Sequence, residues 1–100
     1  MKDLNISLLF DCYGECLSDK QREIFDYYYN EDFSLAEVAE NLGITRQGVR
    51  DFVKRTEQQL LEYEAKLGLH AKTVQLKALC EKAKENPEEL PKLFDLIDNF

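Results

Sequence analysis

The sequence predicts an all-α fold. The chain of 100 residues contains only four glycines and two prolines, and 44% of its residues are hydrophobic, so long helices and one modest core can form. Apolar residues recur at intervals of three and four, which is the period of an amphipathic helix, and no segment keeps the alternation expected of a strand. At this length we expect one domain, extended by a helical appendage.

The first predicted helix covers residues 3–16 and carries an apolar stripe with a spacing of four. The stripe consists of Leu4, Leu8, Cys12 and Cys16, widened by Leu9 and Tyr13. We interpret these cysteines, and the distant Cys80, as reduced thiols that serve as small apolar side chains. Because no ligand set with metal-binding spacing accompanies them, and the single histidine, His70, has no partner motif, we expect no metal site and no disulfide.

The second predicted helix runs over residues 19–29. Ser18 can cap its start, and Gln21 completes a capping box with it. The residues expected to face inward are Ile24, Phe25 and Tyr28. The run of three tyrosines at 27–29 covers more than one helix face, so at least one ring is expected at the surface or in a contact.

The segment SLAEVAENLGITRQGVRDFVKR predicts two capped helices joined by a tight turn. Ser34 is the N-cap of the first helix, with Glu37 three residues on, and Thr45 is the N-cap of the second. Gly43 ends the first helix, because glycine adopts a positive φ without steric cost. We interpret Gly48, inside the second helix, as a site where another backbone approaches closely, and close approach of a phosphate is the alternative.

These features together predict a helix-turn-helix unit over residues 34–55. Such a unit needs a small residue where the helices cross, here Ala39, and a residue tolerant of positive φ in the turn, here Gly43. Apolar residues must also lock the two helices together. They are Val38, Leu42, Ile44, Val49 and Phe52. An ordinary helical hairpin would not require this combination.

The helix that begins after Thr45 is predicted to be long, with an apolar seam of heptad-like spacing. The seam comprises Val49, Val53, Thr56, Leu60, Tyr63 and Leu67. Three partners could cover it: the N-terminal helix, the C-terminal tail or a second copy of the chain.

Gly68 can end this long helix, and further helical segments are predicted at 70–85 and 88–100, with a break at Asn86 and Pro87. The chain is therefore predicted to consist of a helical domain at 1–67, which contains the helix-turn-helix, and a C-terminal helical extension at 68–100.

The second helix of the unit is locally basic. Residues 45–55 hold four bases and one acid, a net charge of +3. In helix-turn-helix proteins the start of this helix meets base edges, where Arg can pair with guanine and Gln with adenine, while later cations contact phosphates. The candidate DNA-binding residues are Thr45, Arg46, Gln47, Arg50, Lys54 and Arg55.

The charge of the whole chain opposes this interpretation. Its formal net charge is -7, and residues 17–67 alone hold seven bases and eleven acids, a net charge of -4. Such a field repels DNA at long range, so a single copy is expected to bind weakly and with a strong dependence on salt. A homodimer would double the contacts, and we therefore expect one.

The segment from Leu17 to Leu69, LSDKQREIFDYYYNEDFSLAEVAENLGITRQGVRDFVKRTEQQLLEYEAKLGL, resembles region four of bacterial sigma factors. It is still more similar to the small YlxM family of bacterial proteins, through LLFDCYGECLSDKQ, SLAEVAE, TRQGVRD, KRTE and YEAKLGL. The resemblance covers roughly residues 4–69. It implies a sigma-like helix-turn-helix protein that acts in the signal recognition particle pathway, on the particle's protein or RNA, or directly on DNA as a regulator.

By the same resemblance, Arg46, Gln47 and Arg50 match the positions where sigma region four touches promoter bases. Gln47 stands where the primary sigma factor has a glutamate, Gly48 where it has an arginine, and Asp51 where it has a glutamine. The loss of one positive side chain and the gain of an acid indicate that a different DNA sequence is read.

The principal alternative is an adaptor that binds protein, or the signal recognition particle, without binding DNA. Acidic faces would engage a basic partner, through Asp26, Glu31 and Asp32, or through Glu81, Glu85, Glu88 and Glu89 in the tail. We expect neither an enzyme nor a cofactor, because no nucleophile has a base at motif spacing and no glycine-rich phosphate loop is present. No apolar run approaches the length of a membrane span, so we expect no membrane insertion and a cytoplasmic location.

Overall fold

A computed structural model describes residues 2–99. Within this range every regular element is helical, and the all-α prediction is confirmed. The α-helices are α1 Leu4–Tyr13, α2 Asp19–Phe25, α3 Leu35–Leu42, α4 Arg46–Leu67, α5 Leu69–Glu85 and α6 Leu90–Asp98. The chain divides into two compact units, Met1–Lys66 and Leu67–Phe100.

Helix α1 buries Leu9 and Tyr13 as predicted, but the main stripe with a spacing of four is not its inner face. Its buried side chains are Ile6, Leu9, Phe10 and Tyr13, whereas Leu4 is 73% exposed and Leu8, Cys12 and Cys16 are exposed as well. The physical reason is the helical period: a strict spacing of four drifts by about 40° per step, while spacings of three and four together stay on one face. For the same reason the free thiols of Cys12 and Cys16 lie at the surface and do not pack as apolar side chains, whereas the free thiol of Cys80 is half-buried.

Helix α2 starts as predicted and ends earlier. Ser18 and Gln21 form the reciprocal capping box, and Ile24 and Phe25 are completely buried. From Asp26 to Asn30 the chain continues as one π-helical turn, followed by a short connection to α3.

The three tyrosines of this turn are all half-buried, and each ring has a neighbour. Tyr27 stacks on Phe33 with ring centroids 5.2 Å apart, and Tyr29 packs on Phe25 at 4.7 Å. Tyr28 meets the edge of Tyr29 at 5.2 Å. The run therefore closes the side of the core that faces the start of α3, and Tyr28 points inward only in part.

The hydrophobic core of the first unit is built around α4. Val49, Thr56 and Leu60 are completely buried, and Val53 is nearly so, as the seam predicts. The N-terminal segment covers the later part of the seam. The Tyr13 hydroxyl donates to the Glu64 carboxylate at 2.6 Å, and the rings of Tyr13 and Tyr63 lie 5.7 Å apart. Of the three predicted partners, the N-terminal helix is thus one, while Leu67 at the end of the seam is 49% exposed.

The buried Thr56 and the half-buried polar side chains beside it bond to one another. The Gln21 amide donates to the Thr56 hydroxyl at 3.3 Å and to the Gln59 carbonyl oxygen at 2.8 Å. Gln59 in turn donates to the Tyr63 hydroxyl at 2.7 Å. Gln21, which completes the capping box of α2, is therefore bonded to α4. These bonds fix the position of α2 in the unit.

The second unit is a pair of helices, α5 and α6, joined by a 3-10 turn at Pro87–Glu89. Pro91 occupies the first turn of α6, where its missing N–H costs no hydrogen bond. Neither helix contains a fully buried residue. On α6 the apolar side chains of Leu90, Phe94 and Ile97 remain 38%, 57% and 48% exposed.

Among residues 2–99, no helix combines the length and the apolar character that crossing a bilayer requires.

The turn between α3 and α4 requires a residue that tolerates a positive φ, and this requirement can be tested by substitution. Gly43 has φ of 70°, in the left-handed region, and a Cβ at this position would meet nothing within 4 Å. Replacement of Gly43 by Ala is therefore expected to lower the free energy of unfolding through backbone strain alone, by about 1–2 kcal/mol. Chemical denaturation measures this, with Gly43→Asn as the control, because asparagine tolerates the left-handed region better. An equal loss for both variants would contradict the explanation.

Candidate nucleic-acid interface

The capped starts of α3 and α4, together with the turn between them, set the angle between the two helices. Ser34 and Glu37 form a reciprocal capping box at the start of α3, and α3 buries Val38 and Ala39. At its end the backbone N–H groups of Gly43 and Ile44 both donate to the carbonyl oxygen of Ala39. The chain thus changes direction between α3 and α4 at Gly43, whose backbone is left-handed, next to the small buried side chain of Ala39.

The start of α4 is capped by Thr45, whose hydroxyl oxygen accepts the N–H of Gly48 at 3.0 Å. The interpretation of Gly48 as a site of close backbone approach is wrong. Apart from the nearby backbone of α4 itself, a Cβ at Gly48 would meet one atom of the described residues within 4 Å, the Thr45 hydroxyl oxygen at 3.0 Å. Glycine thus leaves room for the cap of its own helix, and the first turn of α4 remains open toward solvent.

The exposed face of α4 has a polar centre. Buried Val49, Val53 and Thr56 define the inner side of the helix. At 100° per residue, Gln47 and Asp51 lie almost directly opposite them, and Lys54 lies next to these positions on the side of Arg50; all three are exposed.

Arg46 and Arg50 lie on the flank of α4 that faces α3, beside and not opposite the seam. With Leu35 and Gln47 they line a groove between the starts of the two helices. Arg46 also borders a larger depression, which the first turn of α3 lines together with Lys2, Tyr28 and Asp32. The predicted stripe of Arg46, Arg50 and Lys54 therefore wraps around one side of the helix.

Arg55 lies on the other flank. It is nine residues from Arg46, about two and a half turns, so the two side chains leave opposite sides of α4. The Arg55 guanidinium lies 5.6 Å from the ring centroid of Phe52, and both residues border a depression beside Ser18 at the start of α2. The exposed face of α4 therefore has arginines on both flanks and polar side chains in the middle.

The cations of α4 form no ion pair with any other described residue. Among residues 2–99, the ion pairs involve Lys2, Arg22, Lys84 and Lys92, and none involves the basic residues of α4's first three turns. The exposed basic residues in question are Arg46, Arg50, Lys54 and Arg55. Their positive charge is therefore available to an external anion.

Two acids close to this surface are already engaged. Lys2 donates to the Asp32 carboxylate and to the Phe33 carbonyl oxygen, each at 2.9 Å, and the hydrogen bond holds the pKa of Asp32 below its usual value. The backbone N–H of Ser34 bonds the Glu37 carboxylate at 3.0 Å and likewise lowers its pKa. Lys2 also lies 4.3 Å from the ring centroid of Tyr28, so the N-terminal segment holds the loop before α3.

One contact on the exposed face was not predicted. The amide nitrogen of Gln47 donates to the Asp51 carboxylate at 2.9 Å. Residues four apart on a helix are neighbours, so this spacing was the available signal. The bond connects a predicted base-reading residue to the single acid of residues 45–55.

The positions of the predicted residues are thus clear. Arg46, Gln47 and Arg50 come together beside α3, Lys54 continues the exposed face, and Arg55 lies apart on the far flank. The Thr45 hydroxyl oxygen accepts a hydrogen bond in capping α4, while the hydroxyl hydrogen can still be donated.

Two capped helices, a left-handed glycine turn and an exposed cationic second helix define a helix-turn-helix protein. The comparison with known families agrees, since residues 1–99 match the family UPF0122, described as "Putative helix-turn-helix protein, YlxM / p13 like". The chain belongs to this family.

Bacterial relatives support the assignment over almost the whole chain. A UPF0122 protein of Caldanaerobacter subterraneus subsp. tengcongensis is 52% identical over 82 residues, covering 82% of this chain and 70% of the relative. One of Halalkalibacterium halodurans is 42% identical over 105 residues, covering 99% and 96%. One of Oceanobacillus iheyensis is 47% identical over 83 residues, covering 83% and 79%. The similarity thus extends beyond Leu69, where the sequence alone gave no resemblance.

Proposed function

We propose that this protein is a DNA-binding regulator that inserts the first three turns of α4 into the major groove. The observation that carries the proposal is the set of cations on α4 that have no ion-pair partner within residues 2–99. Cations that a protein leaves unpaired on one helix of a helix-turn-helix are suited to bind phosphate.

The arrangement of side chains fits the shape of the groove. An α-helix with its side chains is about 10–12 Å wide, and the major groove is about 12 Å wide. In this orientation Gln47 at the centre faces base edges, and Arg46 is close enough to pair with a guanine. Arg50 and Lys54 on one side and Arg55 on the other then approach the phosphates of the two strands.

The net negative charge of the first unit limits the affinity of a single copy for DNA. Residues 1–66 hold eight bases and fourteen acids, a net charge of -6. We therefore include a homodimer in the proposal, which doubles the phosphate contacts. The second unit supports it, because the half-exposed apolar stripe of Leu90, Phe94 and Ile97 is suited to burial against another chain.

The resemblance described from the sequence extends the proposal to the signal recognition particle pathway in the cytoplasm, in which this regulator would act. The excess of acids favours a second candidate, an adaptor that binds that particle through its protein component, using acidic faces, and does not bind DNA. Exposed acids such as Asp26 and Glu31 would meet basic groups of the partner.

A titration of the full chain against duplex DNA separates the two candidates. If Arg50, Lys54 and Arg55 of both chains of the dimer contact phosphate, these six contacts should make the affinity fall about a thousandfold between about 50 and 200 mM salt. Two chains should bind each duplex if the dimer is correct. The purified signal recognition particle is the competing bait. Absence of DNA binding at low salt, together with capture of the particle, would overturn the DNA proposal in favour of the adaptor.

A further inference from the structure

Asp51 occupies an unexpected place for an acid. It lies in the centre of the exposed face of α4, between the two cationic flanks, and is the single acid of residues 45–55. A carboxylate there weakens the attraction of the helix for any duplex, whatever its sequence. Its position therefore calls for a role that depends on the sequence of the DNA.

The bond between Gln47 and Asp51 fixes the orientation of the glutamine amide. A carboxylate only accepts hydrogen bonds, so the amide nitrogen of Gln47 must face Asp51, as the 2.9 Å contact shows. One N–H and the carbonyl oxygen of Gln47 stay available, which is the set that pairs with the major-groove edge of adenine. Asp51 thus excludes the flipped orientation of the Gln47 amide, in which the carbonyl oxygen would face the carboxylate.

The second oxygen of the Asp51 carboxylate has no partner within residues 2–99. A carboxylate oxygen accepts hydrogen bonds and does not donate them. The donors that bases present in the major groove are the amino groups of cytosine and adenine. Guanine and thymine present acceptors at the corresponding places, and these repel a carboxylate.

We propose that Asp51 determines the DNA sequence preference of this protein, selecting cytosine or adenine at the position it faces and holding Gln47 for an adjacent adenine. This inference rests on the proposed DNA-binding function. It adds that the acid trades general affinity for discrimination between bases.

The test is selection from a random duplex library with the full chain, using wild type, Asp51→Ala and Asp51→Asn. Wild type should enrich cytosine or adenine at one position by about tenfold over guanine and thymine. Asp51→Ala should lose this preference and bind random duplex about two- to threefold more tightly, since one negative charge is gone. Asp51→Asn should keep the adjacent adenine, because its carbonyl oxygen can still accept from Gln47, while its N–H group should change the preference at its own position to guanine or thymine.

Glu62→Ala is the matched control. It removes one exposed acid from the same helix, eleven residues or about 16 Å from Asp51, and should leave the enriched sequence unchanged. A purely structural effect of Asp51→Ala would weaken binding to all sequences alike, which this design detects.

Two results overturn the proposal in different ways. If Asp51→Ala enriches the same bases as wild type, Asp51 does not determine specificity, although DNA binding stands. If wild type retains no duplex at low salt, the DNA-binding function fails, and the inference fails with it.

Discussion

Replacement of Arg46 and Arg50 together by alanine is expected to lower the affinity for duplex DNA at least about thirtyfold, because each arginine contact is worth roughly 1–3 kcal/mol. Both side chains lie in the groove between the starts of α3 and α4, and neither is engaged in an ion pair within residues 2–99. In the proposed complex their loss removes contacts to DNA, and it breaks no ion pair among residues 2–99. Fluorescence anisotropy at low salt, repeated at higher salt, measures both the affinity and the shallower salt dependence.

The matched control changes the net charge equally at a different place. Lys77 and Lys82 are exposed on α5, and neither takes part in an ion pair within residues 2–99. Their replacement by alanine should change DNA affinity only slightly. If both double variants weaken binding to the same extent, overall charge governs the interaction, and the assignment of α4 as the DNA-reading helix is wrong.

Replacement of Phe25 by alanine is expected to have the largest effect on stability, a loss of about 3–5 kcal/mol in the free energy of unfolding. Phe25 is completely buried at the end of α2. Its ring meets Phe10 of α1 edge-on at 5.2 Å and packs on Tyr29 at 4.7 Å, so its removal leaves a cavity where three elements meet. Domains of this size have a total stability of only about 5–15 kcal/mol, and the melting temperature should fall by more than about 10 °C.

Circular dichroism during thermal and urea unfolding measures this loss. Phe25→Leu is the control, because leucine keeps an apolar side chain in the space and should cost clearly less than alanine. A similar loss for leucine and alanine would show that the aromatic contacts, and not the filled volume, stabilise this junction. A loss below about 1 kcal/mol for alanine would show that α1 and α2 do not depend on each other as the packing indicates.

The sequence predicted the elements that depend on local interactions. The capping boxes at Ser18 and Ser34 and the left-handed turn at Gly43 depend on residues a few positions apart, so their chemistry is visible in the sequence. The seam of α4 was also predictable up to Leu60, because two successive heptads of apolar residues leave only one face to bury.

Features that depend on distant neighbours were not predictable. The inner face of α1 is selected by contacts with α2 and α4, and its alternative stripe through Leu4 and Leu8 looked equally apolar in the sequence. The side-chain bond between Gln47 and Asp51 has only its spacing as a signal, and many such pairs remain apart. The distribution of cations over two flanks of α4 required knowledge of which neighbour, α3 or α2, each arginine faces.

The contacts of Lys2 bear on how the protein should be handled for these measurements. Its ammonium group joins Asp32, the Phe33 carbonyl oxygen and the Tyr28 ring immediately ahead of α3. A bulky affinity tag or fluorophore placed next to Lys2 would compete for this position and shift the start of α3, which borders the groove of Arg46. Reporter groups therefore belong on a surface thiol away from Lys2, namely Cys12 or Cys16 with the other one replaced.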